Sequence, residues 1–162
     1  MKRSALRTTV VLGGLAAVIA VGCATAQTAK MTPAETVAER QKLMKANGAA
    51  WKNVQANTKA GNIAAVVADA DALSQNAKKI PPLFPQGSMT ADSKAKPEVW
   101  QKWADFEAAA KTMETEAAKL RDTAKSGDKA ATEALVKGFG GKACGTCHQP
   151  FRVPPPPAPA KK

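Results

Sequence analysis

Apolar residues recur every three or four positions along most of the chain, which is the spacing of one face of an α-helix. The pattern divides into four segments. Their apolar positions are Val37, Met44, Trp51 and Val54 in the first; Ile63, Val66, Val67, Ala70, Leu73 and Ala77 in the second; Trp103, Phe106, Ala110, Met113, Ala117, Leu120 and Ala124 in the third; and Leu135, Val136, Phe139 and Ala143 in the fourth. In the third segment the steps alternate between three and four, which is typical of helices packed nearly parallel in a bundle.

The residues between these segments indicate where helices begin and end. Thr32-Pro33-Ala34-Glu35 has the sequence of a capping box with proline at the first helical position, so a helix is expected to begin there. Turns are expected at residues 59–62, where Asn62 can cap the second helix, and at residues 126–128. The fourth helix is then expected over about residues 129–151.

One longer connection separates the second helix from the third. Pro81 and Pro82 cannot continue the second helix, and Pro97 suits the first turn of the third. Residues 81–96 are rich in proline, glycine and serine. Short turns and a single long link predict an all-α fold, an antiparallel four-helix bundle.

The composition favours helices over a sheet. The 162 residues include no tyrosine and only 4% aromatic residues, and alanine is the commonest residue. So few strand-forming residues argue against a sandwich or barrel. The mass of 16.8 kDa suits one domain with a single core.

The N-terminus has the pattern of an export signal. Lys2, Arg3 and Arg7 precede an apolar run over residues 10–21, which is too short to span a bilayer comfortably. Ala24-Thr25-Ala26 then supplies small residues for cleavage after Ala26. We therefore predict a cleaved signal peptide over residues 1–26 and a location in a bacterial periplasm.

Two alternatives concern the same segment. Without cleavage it would be an N-terminal anchor, and Cys23 would accept a lipid if the imperfect lipobox before it were recognised. The rest of the chain divides into a folded domain over residues 27–153 and a proline-rich, extended tail over residues 154–162.

The net charge of +11 falls to +8 after removal of residues 1–26, because three of the cations lie there. This makes a nucleic-acid partner a weak interpretation. The remaining charge has two explanations, which are solubility and steering toward an acidic partner.

Two of the three cysteines and the single histidine form one motif. Cys144-Gly145-Thr146-Cys147-His148 is the C-x-x-C-H sequence that attaches c-type haem. The thiols of Cys144 and Cys147 can bond the vinyl groups on one edge of the porphyrin. His148 is then the proximal iron ligand, and one covalently attached haem c is the predicted cofactor.

Three other roles for the motif are weaker. A structural zinc site needs four ligands, and the chain after residue 26 offers only Cys144, Cys147 and His148 of the thiol and imidazole kind. A thioredoxin-like pair would begin a helix after a strand, whereas this pair lies late in a helix. A plain structural disulfide is the third alternative.

The chain has one histidine, so a second axial ligand would have to be a methionine sulfur. Met31, Met44, Met89 and Met113 are the candidates after the predicted cleavage site. In an antiparallel bundle a tilted haem could span the difference in level between Met44 and His148, whereas Met113 is better explained as core packing. Met31 precedes the first helix, and Met89 lies in the long connection. Spacing alone favours Met44 without deciding the matter.

A C-terminal C-x-x-C-H motif on a four-helix bundle resembles the cytochrome c' family. Residues 40–48, with the sequence Arg-Gln-Lys-Leu-Met-Lys-Ala-Asn-Gly, are more similar to its low-spin branch, the cytochrome c-556 type. Residues 80–85 and 141–152 also fit that branch. The likeness extends over roughly residues 32–152, and the proline-rich tail departs from the family pattern.

This resemblance implies several roles. In the low-spin branch the helix-one methionine binds iron opposite the histidine, which corresponds to Met44. Arg40 and Arg152 are expected near the haem edge, where they could pair with a propionate. Related bundles often pair through their first two helices, so a homodimer is one expected state.

The expected function is single-electron transfer in the periplasm through a six-coordinate Met/His haem, without enzymatic turnover. Redox partner proteins are implied, whereas nucleic acid and a stable membrane span are not. Two alternatives remain. One is a five-coordinate, high-spin protein that binds small gases such as NO or CO, and the other is a haem subunit that docks to a larger oxidoreductase.

Overall fold

The computed structural model describes residues 31–156, and the predicted signal peptide, Cys23 and the end of the proline-rich tail lie outside them. Helices account for most of this part of the chain. They are α1 (Pro33–Lys59), α2 (Ile63–Lys78), the short α3 (Glu98–Gln101), α4 (Trp103–Lys125), α5 (Lys129–Phe139), a π-helical segment (Gly140–Gly145) and α6 (Thr146–Phe151). The last three follow one another without a break, so the predicted all-α, four-helix bundle is confirmed.

The ends of α1 and α4 follow local sequence rules. The Glu35 N–H donates to the Thr32 side chain at 3.3 Å, while the Thr32 N–H donates to the Glu35 carboxylate at 2.7 Å, which completes the predicted capping box. Gly61 and Gly127 follow α1 and α4 with φ near +75° and +78°, a conformation that glycine adopts without strain. Asn62 occupies the N-cap position of α2 as expected, but its side chain makes no capping bond.

The most extensive helix contact joins α2 to α4. Small residues make it close, because alanines at positions 70, 77, 110, 117 and 124 are all buried. Leu73 and Leu120 are almost fully inaccessible among them, and Phe106 closes the core toward one end. Burying these apolar side chains is the main stabilising contribution to such a bundle.

Two helices depart from the predicted regularity. The third is interrupted at Lys102, whose backbone leaves the helical region, so that Trp100 and Trp103 lie on separate helical pieces. Trp100 donates its indole N–H to the carbonyl oxygens of Phe84 and Pro85, which ties this first piece to the long connection. The fourth helix widens into the π-helical segment, which includes the first two residues of the C-x-x-C-H motif.

The long connection also contacts the end of the chain. Ala95 and Arg152 form an isolated antiparallel bridge. The Lys96 N–H donates to the Phe151 carbonyl at 2.9 Å, and the Val153 N–H donates to the Lys94 carbonyl at 2.8 Å. These bonds hold the connection against α6. Within residues 31–156, no helix is both long enough and apolar enough to cross a bilayer.

Candidate haem site

A cavity of about 560 Å³ lies among the first half of α1, the long connection and α6. Its size falls in the usual range of small-molecule and cofactor sites. None of its lining residues comes from α2 or α4. The lining consists of Val37, Arg40, Gln41, Met44, Lys45, Ile80, Phe84, Ser93, Lys94, Ala95, Cys147, His148, Phe151 and Arg152.

The C-x-x-C-H motif borders this cavity. Cys147 and His148 line it directly, while Cys144 packs, half-buried, against the hydrophobic core. Phe151 lies one helical turn after His148 and is almost completely buried at the base of the same wall. The π-helical segment ends at Gly145, between the two cysteines, and such segments occur frequently at functional sites.

The motif's side chains are in their uncharged forms near neutral pH. Both cysteines are free thiols. Burial raises the pKa of Cys144, and burial together with the neighbouring Cys144 raises the pKa of Cys147 to about 11. Reactive dithiol pairs need a lowered thiol pKa, so these values disfavour the thioredoxin-like alternative. Partial desolvation, with a smaller contribution from Arg152, lowers the pKa of His148 and leaves the neutral imidazole that binds metals.

Met44 lines the same cavity as His148. Among the methionines that the structure describes, the other three lie elsewhere. Met113 is buried in the core, as expected, and Met31 and Met89 are 44% and 49% exposed. The structure therefore places one thioether beside the motif.

Arg40 is the most heavily engaged side chain at the cavity. It is 6% exposed and lies one helical turn before Met44. Its Nε donates to the Leu83 carbonyl, one Nη donates to the Ser88 carbonyl at 3.1 Å, and the other Nη donates to the Ser88 hydroxyl. The guanidinium also lies 4.0 Å from the centre of the Phe84 ring, a cation–π contact.

These bonds make Arg40 a link between α1 and the long connection. Burial lowers the pKa of Arg40 to about 10, so the side chain stays protonated at neutral pH. Its expected contact with a haem propionate remains a prediction. Arg152 also lines the cavity, on the side of His148. Its expected contact with the haem edge likewise remains a prediction.

The aromatic wall behind the cavity was not assigned from sequence. Phe84 lines the cavity and packs edge-on against Phe106, with ring centres 4.7 Å apart, and Phe106 packs edge-on against Phe151 at 5.4 Å. The apolar Leu83 and Phe84 in an otherwise polar connection were the available signal. Arg40, which contacts both residues, lies more than forty positions away in sequence, so no local pattern indicates the contact.

The residues present fit a haem. A cavity of suitable size brings together an imidazole, a thioether and a motif thiol, and the rings of Phe84 and Phe151 form part of its wall. Imidazole and thioether are established axial ligands of haem iron, and cationic side chains at the opening suit its carboxylates. Within residues 31–156, no group of three or more His, Cys, Asp and Glu side chains is placed to hold a metal ion.

Comparison with known proteins gives consistent matches. The family model described as Cytochrome C' matches residues 35–152. A cytochrome c-556 from Agrobacterium fabrum is 35% identical over 120 residues, which cover 72% of this chain and 80% of the relative. A cytochrome c' from Rhodopseudomonas palustris is 31% identical over 140 residues, which cover 84% and 90%.

The solved structures agree with this match. One is a cytochrome c' with ligand-controlled dimer dissociation, which superposes with a TM-score of 0.71 at 26% identity. The alignment covers 78% of this chain and all of that one.

Proposed function

Because the chain belongs to the cytochrome c' family and its cofactor is a covalently attached haem c, we propose that Cys144 and Cys147 attach the haem and that the protein carries single electrons. In this proposal His148 and Met44 would bind the haem iron. Its main support is that Met44 lines the same cavity as His148, whereas none of the other described methionines lines that cavity.

Each residue has a definite part in the proposal. The two thiols would form thioether bonds, each sulfur adding to one vinyl carbon while its hydrogen passes to the other. His148 offers a neutral imidazole nitrogen, and Met44 offers a soft sulfur from α1. When bound, the haem supplies an iron that gains or loses one electron, and methionine ligation raises its reduction potential relative to a histidine pair.

The character of the cavity favours electron transfer over catalysis. Among the described residues that line it, none is an aspartate or glutamate, so no carboxylate is in place as a general base. Phe84, Phe151 and Ile80 make the inner wall apolar, and Arg40 fixes the connection that carries Phe84. An apolar inner wall would limit reorganisation when the charge of the iron changes.

The setting is also part of the proposal. The pattern of residues 1–26 supports export to the periplasm, where redox partner proteins would exchange electrons with the haem. A homodimer is compatible with the ligand-controlled dimer of the related cytochrome c'.

Replacing the proposed sulfur ligand tests the assignment. Met44→Ala should convert low-spin iron to high-spin iron and open a site for carbon monoxide, because no other described methionine lines the cavity. Optical spectra of the oxidised and reduced protein, with and without carbon monoxide, measure both changes. Met89→Ala is the matched control, since Met89 is exposed and away from the cavity, and its spectrum should equal that of the native protein.

The native spectrum separates the two haem functions. A low-spin spectrum with the weak near-infrared sulfur-to-iron band, unchanged by carbon monoxide, supports ligation by Met44 and electron transfer. A high-spin native spectrum that shifts with carbon monoxide would favour the gas-binding function. An unchanged spectrum in Met44→Ala would show that Met44 is not the ligand.

A further inference from the structure

Cations from three separate segments surround the mouth of the haem cavity. Lys45 comes from α1, Lys94 from the long connection and Arg152 from the end of α6. Lys45 and Lys94 are exposed, and Arg152 is partly exposed. Together with the buried Arg40 they outnumber the carboxylates of one haem, so the mouth stays positive when the haem is bound.

The positive charge at the mouth of the cavity follows from where the acidic residues lie along the chain. Residues 40–68 contain five cations and no acidic residue, and no acidic residue follows Glu133. These two stretches supply most of the cavity wall. The acidic residues concentrate elsewhere, above all on α4, which contributes nothing to the cavity.

Among the residues that the structure describes, the cations at the mouth form no ion pairs. Within residues 31–156, Lys45, Lys94 and Arg152 lie within 4.0 Å of no carboxylate, and the nearby Glu39 is paired with Lys42 at 3.5 Å. Asp92, the other acidic residue near the mouth in sequence, precedes Lys94 by two positions and forms no ion pair among the described residues.

Two of the four cations on α4, Lys111 and Arg121, are paired instead. Lys111 binds Glu114 at 2.8 Å, and Arg121 binds Asp71 and Asp122 at 2.9 and 2.8 Å. Paired charges largely cancel at a distance, whereas unpaired ones produce a field that extends about a Debye length into solvent.

We propose that this mouth, defined by Lys45, Lys94 and Arg152, is the docking surface for the acidic patch of a redox protein. The inference rests on the proposed electron-transfer function and names the chemistry of its partner. Unpaired cations around the cofactor speed encounter with an acidic partner and orient it toward the haem. A protein suits the site better than an anionic membrane, because membrane-surface cations usually follow one face of a single amphipathic helix.

Small redox reagents of opposite charge test the sign of this field. Hexacyanoferrate(III) takes one electron from the iron(II) protein, which gives hexacyanoferrate(II) and the iron(III) protein. Its rate should fall about 5- to 10-fold in the double variant Lys45→Gln/Lys94→Gln at low ionic strength. The rate with the cationic oxidant tris(phenanthroline)cobalt(III) should rise, and both differences should vanish at about 0.5 M salt.

Matched neutralisations on α4 provide the control. Lys119→Gln/Lys125→Gln removes the same net charge from a helix that does not line the cavity, and it should leave both rates within about 1.5-fold of native. Equal effects of the two double variants would overturn the proposal, because only overall charge would then matter. A rate change explained by a shifted midpoint potential would overturn it too, since the lysines would then act on the haem alone.

Poly-L-glutamate and lipid vesicles distinguish the kinds of acidic surface. Poly-L-glutamate should slow the hexacyanoferrate(III) reaction of the native protein and should have little effect on Lys45→Gln/Lys94→Gln. Binding to vesicles of phosphatidylglycerol and phosphatidylcholine, without any effect of poly-L-glutamate, would overturn the proposal in favour of a membrane. The native optical spectrum is read separately, so an error in the ligand assignment is not confused with an error about docking.

Discussion

The α2–α4 interface and the cavity end of the bundle are stabilised by different means. Between α2 and α4, buried alanines bring the backbones close, and leucines such as Leu73 and Leu120 fill the remaining space. At the cavity end, Arg40, Phe84 and Ser88 hold a loop in place through hydrogen bonds and ring contacts, and space is left among them. The first region therefore contributes most of the stability, whereas the second is less closely packed and leaves space for a cofactor.

The largest expected effect is a loss of cofactor attachment at the cavity end, with the α2–α4 interface left intact. Cys144→Ala with Cys147→Ala should abolish covalent haem attachment, because both thioether sulfurs are lost. The helices should still form, since neither thiol belongs to the fully buried α2–α4 core. Haem staining of the denatured protein in a gel measures attachment, and far-ultraviolet circular dichroism measures helix content.

The spacer residue between the cysteines provides a matched control. Thr146→Ala keeps both thiols and His148 and removes only a hydroxyl that bonds to the Lys142 carbonyl. Staining should therefore persist in Thr146→Ala. Staining that survived denaturation in the double cysteine variant would refute the attachment proposal.

The next effect concerns the packed region. Leu120 is fully inaccessible to solvent, so Leu120→Ala should lower the free energy of unfolding by about 3 kcal/mol through lost burial and a residual cavity. The optical spectrum of the haem should change little, because α4 lies outside the cavity wall. Urea unfolding measures the first effect. Lys119→Ala, at the exposed neighbouring position, should stay within about 0.5 kcal/mol of native.

An equal loss of stability in Leu120→Ala and Lys119→Ala would contradict the separate roles of the two regions. So would a Leu120→Ala protein whose axial ligation changed while its stability did not. The first result would show that burial of Leu120 is not the source of the stability, and the second would show that the α2–α4 contact and the cavity end act as one unit in ligand binding.

Sequence patterns predicted the packed region better than the cavity end. The three-and-four spacing from Phe106 to Ala124 follows directly from helix geometry, and the buried residues of α2 and α4 match it. The family resemblance and the haem c cofactor were also predictable from one motif and residues 40–48, and the comparisons confirm both. These features are local in sequence.

The features that sequence did not show depend on contacts between distant segments. The hydrogen bonds of Arg40 to Leu83 and Ser88 join residues more than forty positions apart, so no local pattern reveals them. The break at Lys102 and the π-helical segment before Gly145 likewise do not follow from apolar periodicity, which continues through both. The particular haem contacts of Met44, Arg40 and Arg152 stay predictions.

The smallest effect tests how the cavity end is held. Arg40→Lys keeps the positive charge but cannot reproduce three bonds in the geometry of a guanidinium, so the connection should loosen. Hydrogen exchange of the Phe84 and Ser88 amides, which bond to the Pro81 and Pro85 carbonyls, should speed up about 10-fold. That factor corresponds to about 1.4 kcal/mol, which is within the usual net contribution of one hydrogen bond.

Amides in the middle of α4 provide the internal reference for Arg40→Lys, because they exchange only when the packed region opens. Their rates should stay near native while those of the connection rise, since Arg40 contacts no residue of α4 through its hydrogen bonds. Faster exchange in α4 to the same extent would show that Arg40 supports the whole bundle. Unchanged exchange at Phe84 and Ser88 would show that the aromatic contact with Phe84, and not the guanidinium bonds, fixes the loop over the cavity.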